Sequence, residues 1–279
     1  MSATTITAQD INKLRQTTGA GILDCRKALT ETNGDFEAAI DWLRKQGQKV
    51  AAKRSDREAK EGVVTAKTTS DNKTGLVICL SCETDFVSKN ADFVAFAQTI
   101  ADAAVANNVK SLEELNNVEI KGSKVSDLIN DKLASIGEKI GITKFERVDA
   151  PYVASYIHGA NRMGVLVGLN KEAPAAGKDV AMQIAAMNPV AVDASSVPAE
   201  TITREKNIVM ELMKQDPKMA GKTDEMLSKI AEGKMNSFFK EQTLLAQVFV
   251  KDGNITVADF LKGVDPDLKV TEFKRVALG

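Results

Sequence analysis

With 279 residues, the chain is long enough for one large domain or two to three small ones, each with a proper core. Charged residues make up 27% of the sequence and apolar residues 43%, which is typical of a soluble globular protein, and the longest apolar stretches are too short to span a bilayer. The 37 Lys and Arg residues almost balance the 38 Asp and Glu residues, which argues against direct nucleic-acid binding. Because the N-terminus lacks the features of a signal or transit peptide, we expect a cytoplasmic protein without membrane contact.

The N-terminal segment predicts three short helices packed into a small bundle. The first, over residues 7–19, begins at the cap-like Thr7, and the second, over residues 24–34, closes on an Asn-Gly pair. The third, over residues 35–47, carries apolar residues at helical spacing and leads into a charged stretch with few apolar anchors. We therefore expect an N-terminal domain and linker over residues 1–55.

Beyond the linker, the pattern becomes that of an α+β core. Residues 63–70 and 75–82 are rich in β-forming residues and flank the turn-like DNKTG, which predicts a hairpin. An amphipathic helix is predicted over residues 91–108 and a second helix over residues 124–141, followed by a strand over residues 142–148. This order of elements predicts a compact β-β-α-α-β unit.

The same unit is repeated in the second half of the chain. VTEFKRV at 270–276 matches ITKFERV at 142–148 at its Thr, Phe, Arg and Val positions, and residues 152–170 again read as strand, turn and strand. An internal repeat of this kind predicts a duplicated core. The predicted boundaries are 56–149 for core subdomain 1, and 150–197 with 243–279 for core subdomain 2.

The second copy carries an insertion over residues 198–242, which predicts an antiparallel coiled-coil arm of two helices. The apolar residues expected on its helical seam are Ile202, Val209, Leu212, Met213, Met226, Leu227, Ile230 and Phe238. Core packing explains most of its methionines, and a protein-contact surface is the alternative. Whether this arm dimerises or touches a partner is left open.

Little in the sequence points to catalysis. The single histidine, His158, excludes a multi-histidine zinc site, and no phosphate-loop motif is present. Residues 19–24, GAGILD, have Asp24 where a dinucleotide fingerprint needs its third glycine. We therefore expect no cofactor, no metal ion and no active site.

Cys79 and Cys82 form a C-x-x-C pair, which could indicate a thiol oxidoreductase. Residues three apart on a strand point to opposite faces of the sheet and cannot act on one ion or one substrate together. A redox pair also normally opens a helix, where the thiol pKa is lowered. We expect reduced strand cysteines.

The stretch ETDFVSKN at 83–90 places an aromatic residue, Phe86, in a polar turn directly after a predicted strand. Phe86 is either the last core residue of that strand or a side chain displayed for a partner.

Two longer stretches resemble the signatures of the elongation factor Ts family: LRQTTGAGILDCRKAL at 14–29 and CETDFVSK at 82–89. SYIHGANRMGVLV at 155–167, AEGKMNSFF at 231–239 and the terminal TEFKRVALG follow in the family's order, so the resemblance covers essentially the whole chain. It implies an α+β fold with a three-helix, ubiquitin-associated-like N-terminal domain, a duplicated core of two subdomains and an inserted coiled-coil arm. It also implies a guanine-nucleotide exchange factor, not an enzyme, that acts on elongation factor Tu in its GDP-bound and nucleotide-free states.

The resemblance implies roles for particular residues. Asp85 and Phe86 would insert between helices of the partner's GTPase domain near its magnesium site, with Thr84 and Val87 completing the contact segment. His158, in the hairpin of the second copy, would make a second contact with that domain. The alternative for His158 is a histidine that merely decorates a hairpin turn.

Ile22 and Leu23 lie in the GAGILD loop at the start of the second helix, and the resemblance implies that this loop meets a helix of the GTPase domain. Core packing of one of the two is the alternative. The sequence departs from the family pattern at Cys79 and Ser81, where Glu and Asn are usual, and at Val248, where Pro is common. We also expect the C-terminal helical extension of some members to be lacking.

An alternative function comes from TNGDFEAAIDWL at 32–43, which resembles the third helix of ubiquitin-associated domains. It would make the protein a ubiquitin-type adaptor. The ETDFV stretch and the duplicated core have no place in such an adaptor, so we favour the exchange factor.

Overall fold

The computed structural model describes residues 6–54, 56–219 and 222–279. Its helices are α1 (Ala8–Thr18), α2 (Ile22–Glu31), α3 (Phe36–Lys53), α4 (Asp85–Ser88), α5 (Ala91–Ala106), α6 (Leu112–Asn117), α7 (Val125–Ile136), α8 (Pro174–Met187), α9 (Ala199–Gln215), α10 (Asp224–Gln242) and α11 (Val257–Val264). Its strands are β1 (Glu61–Thr68), β2 (Thr74–Cys82), β3 (Glu119–Ile120), β4 (Ser123–Lys124), β5 (Gly141–Asp149), β6 (Tyr152–His158), β7 (Met163–Leu169), β8 (Val248–Phe249), β9 (Asp252–Thr256) and β10 (Val270–Ala277). The predicted α+β class is confirmed.

Helices α1 to α3 pack around a small apolar core of their own, which includes Leu14, Cys25 and Leu29. Thr7 caps α1 as predicted, because its hydroxyl accepts the N–H of Asp10 while the Asp10 carboxylate accepts the N–H of Thr7. Helix α3 continues beyond the predicted bundle, so that the first part of the charged linker is helical.

Two three-stranded antiparallel sheets form the centre of the molecule, with strand orders β1-β2-β5 and β6-β7-β10. In each sheet the hairpin's second strand is central, and the last strand returns beside it after a helical segment. The two sheets therefore share one topology, which is the arrangement that a duplicated unit predicts. The domain boundaries themselves stay a prediction.

The two sheets pack face to face through a layer of aliphatic side chains. Val64 and Val77 of the first sheet meet Val153 and Leu166 of the second. The approach is so close that a Cβ added at Gly164 would lie 2.7 Å from Cγ2 of Val77. Helices α5 and α7 cover the outer face of the first sheet, and α8 and α11 cover that of the second. The core is therefore a helix–sheet–sheet–helix sandwich.

The two strand cysteines point to opposite faces of β2, as predicted. Cys79 lies in the layer between the sheets, whereas Cys82 packs with the helices on the outer face. Both are free thiols, and burial raises the pKa of the Cys82 thiol to about 12. A pair that faces two different cores cannot act as one redox or metal site.

The insertion contains α9 and α10, which pack on each other. Met213 and Met235 are buried, but Leu212 and Met226 are more than half exposed, so their predicted place on the seam is wrong. The reason is helical geometry: Leu212 precedes Met213 directly and is turned about 100° away from it. Whether these helices form a coiled coil stays a prediction. In the part of the chain that the structure describes, no helix has the length and apolar character needed to cross a membrane.

Candidate functional site

Phe86 lies on α4, a single helical turn that directly follows the central strand β2. The predicted polar turn is therefore helical, with Thr84 as its extended N-cap residue. Phe86 is 85% exposed, whereas Val87 packs against the core and Ser88 is buried, its hydroxyl donating to the carbonyl of Asp85 at 3.2 Å. The turn is thus anchored on one side and presents Phe86 on the other. Phe86 is not the last core residue of the strand.

Asp85 opens α4 and is held by a residue one turn later. Its Oδ2 accepts a hydrogen bond from Nζ of Lys89 at 2.6 Å. This hydrogen bond and the positive charge of Lys89 lower the pKa of the Asp85 carboxyl. Asp85 is therefore an ionised carboxylate, next in sequence to the exposed aromatic ring.

Thr84 is bound by a carboxylate from a distant part of the chain. Oε1 of Glu138 accepts the Thr84 hydroxyl at 2.6 Å, and Oε2 accepts the N–H groups of Thr84 at 3.0 Å and of Glu83 at 3.1 Å. The N–H groups that follow a strand's end need partners, and Glu138 supplies them. Glu138 lies between α7 and β5, 54 residues away from Thr84 in sequence. Sequence reasoning missed it, because nothing local marks this pairing.

The Glu83 side chain completes a reciprocal arrangement. Its Oε1 accepts the Lys139 N–H at 2.6 Å, and its two oxygens accept Nη1 of Arg54 at 3.2 Å and Nη1 of Arg57 at 3.0 Å. These donors, the Lys139 N–H first, lower the pKa of the Glu83 carboxyl. We call the Glu83 and Glu138 carboxylates, with the backbone groups that they bind, the carboxylate clip. It fastens the start of α4 to the α7–β5 connection and to the linker.

His158 lies at the exposed end of β6, with Nδ1 3.1 Å from the Tyr156 hydroxyl. The hairpin turn after it is bonded to the first sheet: Arg162 Nη1 donates to Glu61 at 3.0 Å, and Asn161 accepts the N–H of a β1 residue. Glu61 is the residue paired with Cys82 at the end of β2. The His158 hairpin and α4 therefore lie at the same end of the double sheet.

Ile22 and Leu23 form the first turn of α2, so they belong to the helix and not to the loop before it. They are 48% and 77% exposed, and core packing of either residue is thereby wrong. Their bundle is attached to the core by α3, which crosses α7 so closely that a Cβ at Gly47 would lie 3.1 Å from Ala134 Cβ.

Helix α7 also reaches the neighbourhood of Phe86. Ile136, the last residue of α7, lines a shallow groove together with Phe86, Val87 and Phe93. Helix α3 of the N-terminal bundle packs on α7, and the carboxylate clip connects the segment after α7 to the start of α4. The N-terminal bundle is thus in indirect contact with α4. The structure brings Phe86 and His158 to one end of the sandwich and connects the bundle that carries Leu23 to the same region.

The arrangement is suited to contact with another protein. Exposed apolar side chains on a firmly held backbone are typical of contact surfaces, where a buried aromatic contributes much of the binding energy. Among the described residues, no group of three or more His, Cys, Asp or Glu side chains could hold a metal ion. By fold the chain is an α+β protein, and its surface presents exposed apolar side chains on a firmly held backbone.

The comparisons with known proteins give the family. Residues 83–279 match the family model described as elongation factor TS. Proteins named elongation factor Ts from Christiangramia forsetii, Flavobacterium psychrophilum and Amoebophilus asiaticus are 48%, 45% and 46% identical to this chain. The alignments cover 98%, 99% and 98% of this chain and 99% of each relative. The chain therefore belongs to the elongation factor Ts family of translation elongation factors.

Proposed function

We propose that the protein binds elongation factor Tu in its GDP-bound state, promotes the release of GDP and stays bound to the nucleotide-free form. The observation that carries this proposal is Phe86, 85% exposed on a helical turn whose backbone is fastened on both sides. An aromatic side chain in this state has no role in the protein's own core. It is available to fill a site in a partner.

The mechanism follows from thermodynamic linkage. GDP is held in a GTPase by the amides of its phosphate loop and by Mg²⁺. A factor that binds more tightly to the distorted, empty GTPase lowers the affinity for nucleotide by the same factor. Phe86 acts as the wedge, since one buried aromatic contributes about 2 kcal/mol or more to an interface. Each 1.4 kcal/mol or so of such coupling accelerates release about tenfold.

Asp85 enters the partner beside Phe86, near the magnesium site. Its ionised carboxylate repels the phosphates or redirects hydrogen bonds in their neighbourhood. Thr84 and Val87 set the geometry of this segment, the first through the carboxylate clip and the second through its packing on the core. The His158 hairpin makes the second contact with the GTPase domain.

Ile22 and Leu23 make a third contact, with a helix of the same domain. Their support is their exposure on the first turn of α2. On this proposal the N-terminal domain, of ubiquitin-associated type, is a docking element. The protein acts in the cytoplasm as an exchange factor, without an active site, cofactor or nucleic-acid contact of its own.

The test is the release of fluorescent GDP from the cognate elongation factor Tu in the presence of catalytic amounts of the protein. We expect the parent to accelerate release and Phe86→Ala to slow it by about tenfold or more. Val264→Ala is the matched control, because Val264 is an exposed apolar residue at the end of α11, outside the candidate site.

Two results would contradict the proposal. If the parent protein does not accelerate GDP release, the proposed exchange function is wrong. If the Phe86→Ala variant promotes GDP release as fast as the parent does, the proposed insertion of Phe86 into the partner is wrong. Far-UV circular dichroism on each variant establishes that the fold is intact.

A further inference from the structure

The helical turn that carries Phe86 needs an external support. Helix α4 has only four residues, and helices this short are unstable in water without tertiary contacts. Phe86 contributes almost nothing to holding itself, because most of its ring is exposed. Its position therefore depends on how the backbone just before it is fixed.

That backbone is fixed by Glu138. Three hydrogen bonds to its carboxylate, of 2.6 to 3.1 Å, come from the Thr84 hydroxyl and from the N–H groups of Glu83 and Thr84. Hydrogen bonds to an ionised acceptor are shorter and stronger than those between neutral groups. The two N–H groups fix the direction in which the chain leaves β2, and this direction sets where α4 points.

The second half of the carboxylate clip links this support to the linker. Glu83 is only 18% exposed and takes hydrogen bonds from the Lys139 N–H and from the guanidinium groups of Arg54 and Arg57. In addition, Nζ of Lys139 donates to the carbonyl of Arg57 at 2.8 Å. The linker that leaves the N-terminal bundle, the α7–β5 connection and the start of α4 therefore form one hydrogen-bonded unit.

We propose that Glu138 is a positioning residue for Phe86, and that Arg54 and Arg57 of the linker strengthen this support through Glu83. The inference rests on the proposed exchange function and adds the device that orients its wedge. A misplacement of about 1 Å at a reacting or inserting group can slow a reaction by about a hundredfold, which makes such support consequential. The contacts of Arg54 and Arg57 with Glu83 also couple the linker, and with it the N-terminal bundle, to the position of Phe86.

The central experiment is a double-mutant cycle on the full-length chain, with Glu138→Gln and Phe86→Ala made singly and together. Glutamine keeps the shape of the Glu138 side chain but has no charge. Its NH₂ group is a hydrogen-bond donor, and it would face the backbone N–H groups of Glu83 and Thr84, which are donors too. We expect Glu138→Gln to lower the maximal GDP release rate, at saturating elongation factor Tu, by about tenfold in the parent. In the Phe86→Ala background the same change should lower it by less than about twofold.

Amide hydrogen exchange supplies a readout that is independent of the partner. Glu138→Gln should reduce protection at residues 84–89 by about tenfold and leave β6 and β7 unchanged. The replacement of Arg54 and Arg57 together by Gln should give a smaller loss at the same amides. Glu119→Gln, a change at an exposed glutamate of β3, is the matched control and should alter neither readout.

The outcomes separate the inference from the function on which it rests. Equal losses of rate for Glu138→Gln in both backgrounds would overturn the positioning role, since the residue would then act independently of Phe86. Unchanged protection at residues 84–89 would overturn it as well. If the parent does not accelerate GDP release, the proposed function fails and the role in exchange falls with it. The hydrogen-exchange result then still decides whether Glu138 holds α4.

Discussion

Phe86 and Phe93 line the same shallow groove, yet Phe86 is 85% exposed and Phe93 is 1% exposed. They lie on consecutive helices, α4 and α5. The Phe93 side chain lies on the side of its helix that faces the first sheet, whereas the Phe86 side chain does not. Phe93 fills the layer between α5 and the sheet, whereas Phe86 lies outside it. We therefore expect Phe93 to contribute to the stability of the fold and Phe86, seven positions earlier, to contribute to contact with a partner.

Stability measurements on these two residues check this separation. Phe93→Ala should lower the free energy of unfolding by about 3–5 kcal/mol, because it removes a fully buried ring and leaves a cavity. Phe86→Ala should change it by no more than about 0.5 kcal/mol. Urea unfolding followed by circular dichroism gives both values. A large destabilisation by Phe86→Ala would show that the exposed ring has a structural role.

The N-terminal bundle offers a second matched pair on α2. Leu29→Ala should destabilise the bundle by about 2–5 kcal/mol, since Leu29 is 1% exposed. Leu23→Ala should leave stability within about 0.5 kcal/mol and weaken binding to elongation factor Tu by about 1 kcal/mol. Calorimetric titration with the partner measures the second effect. Unchanged affinity for Leu23→Ala would remove α2 from the proposed interface.

The thiols should be unreactive in the native state. Burial raises the pKa of Cys82 to about 12, so at pH 8 the thiol is protonated, and only the thiolate is a strong nucleophile. Cys79 is buried between the sheets. We expect iodoacetamide to label both residues slowly in the folded protein and rapidly in urea, as measured by mass spectrometry. Rapid native labelling together with lost exchange activity would favour the thiol oxidoreductase that the strand geometry of the C-x-x-C pair argues against.

Glu83 should give stability a definite pH dependence. Its donors hold the pKa of the folded-state carboxyl below the ordinary 4.5, so the folded state favours the ionised form. This contribution is fully present above the unfolded-state pKa and is lost as the pH falls through the lower folded-state pKa. The difference in unfolding free energy between the parent and Glu83→Gln should therefore be largest near neutral pH and shrink in acid.

Urea titrations of the parent and Glu83→Gln at several pH values measure this difference, with Glu119→Gln as the control. A difference that grows as the pH falls would have the wrong sign. It would mean that the Glu83 carboxyl is destabilised, and not stabilised, by its surroundings.

The close contact between the two sheets predicts that a side chain at position 164, in place of Gly164, destabilises the fold. An added methyl group would lie 2.7 Å from Cγ2 of Val77 and 3.0 Å from Cγ1 of Val64, so Gly164→Ala should destabilise the protein by about 1–3 kcal/mol. Gly253→Ala is the control, because a Cβ there meets nothing within 4 Å. Equal thermal midpoints for the two variants would contradict the close packing of the sheets.

Local features of the fold could be predicted from the sequence because their causes are local. The Thr7 cap, the β1–β2 hairpin and the opposite faces of Cys79 and Cys82 all follow from residue types and the helix or strand period. Errors occurred where the tertiary environment selects between neighbours. Leu212 and Met213 both suit an apolar seam, and packing buried only the second.

The site divides in the same way. Phe86 stood out in the sequence because an aromatic residue in a polar stretch lacks a local reason to be there, and the family signature reinforced it. Its helical turn could not be predicted, since four residues carry too little helix signal. The exposure of both Ile22 and Leu23 depends on how α2 packs in its bundle, which the sequence left open.

The sequence by itself determined the order of the main helices and strands and the family, and it indicated a repeat of the core, because periodicity, capping and long motifs are written in consecutive residues. Only the tertiary structure decided that Glu138 binds Thr84, 54 positions away in sequence, and that the linker arginines meet Glu83. Such pairs have no signal in local propensity: two carboxylates and a few donors look like ordinary surface residues until the fold brings them together. The physical reason is that a hydrogen bond depends on distance in space, which a one-dimensional pattern does not contain.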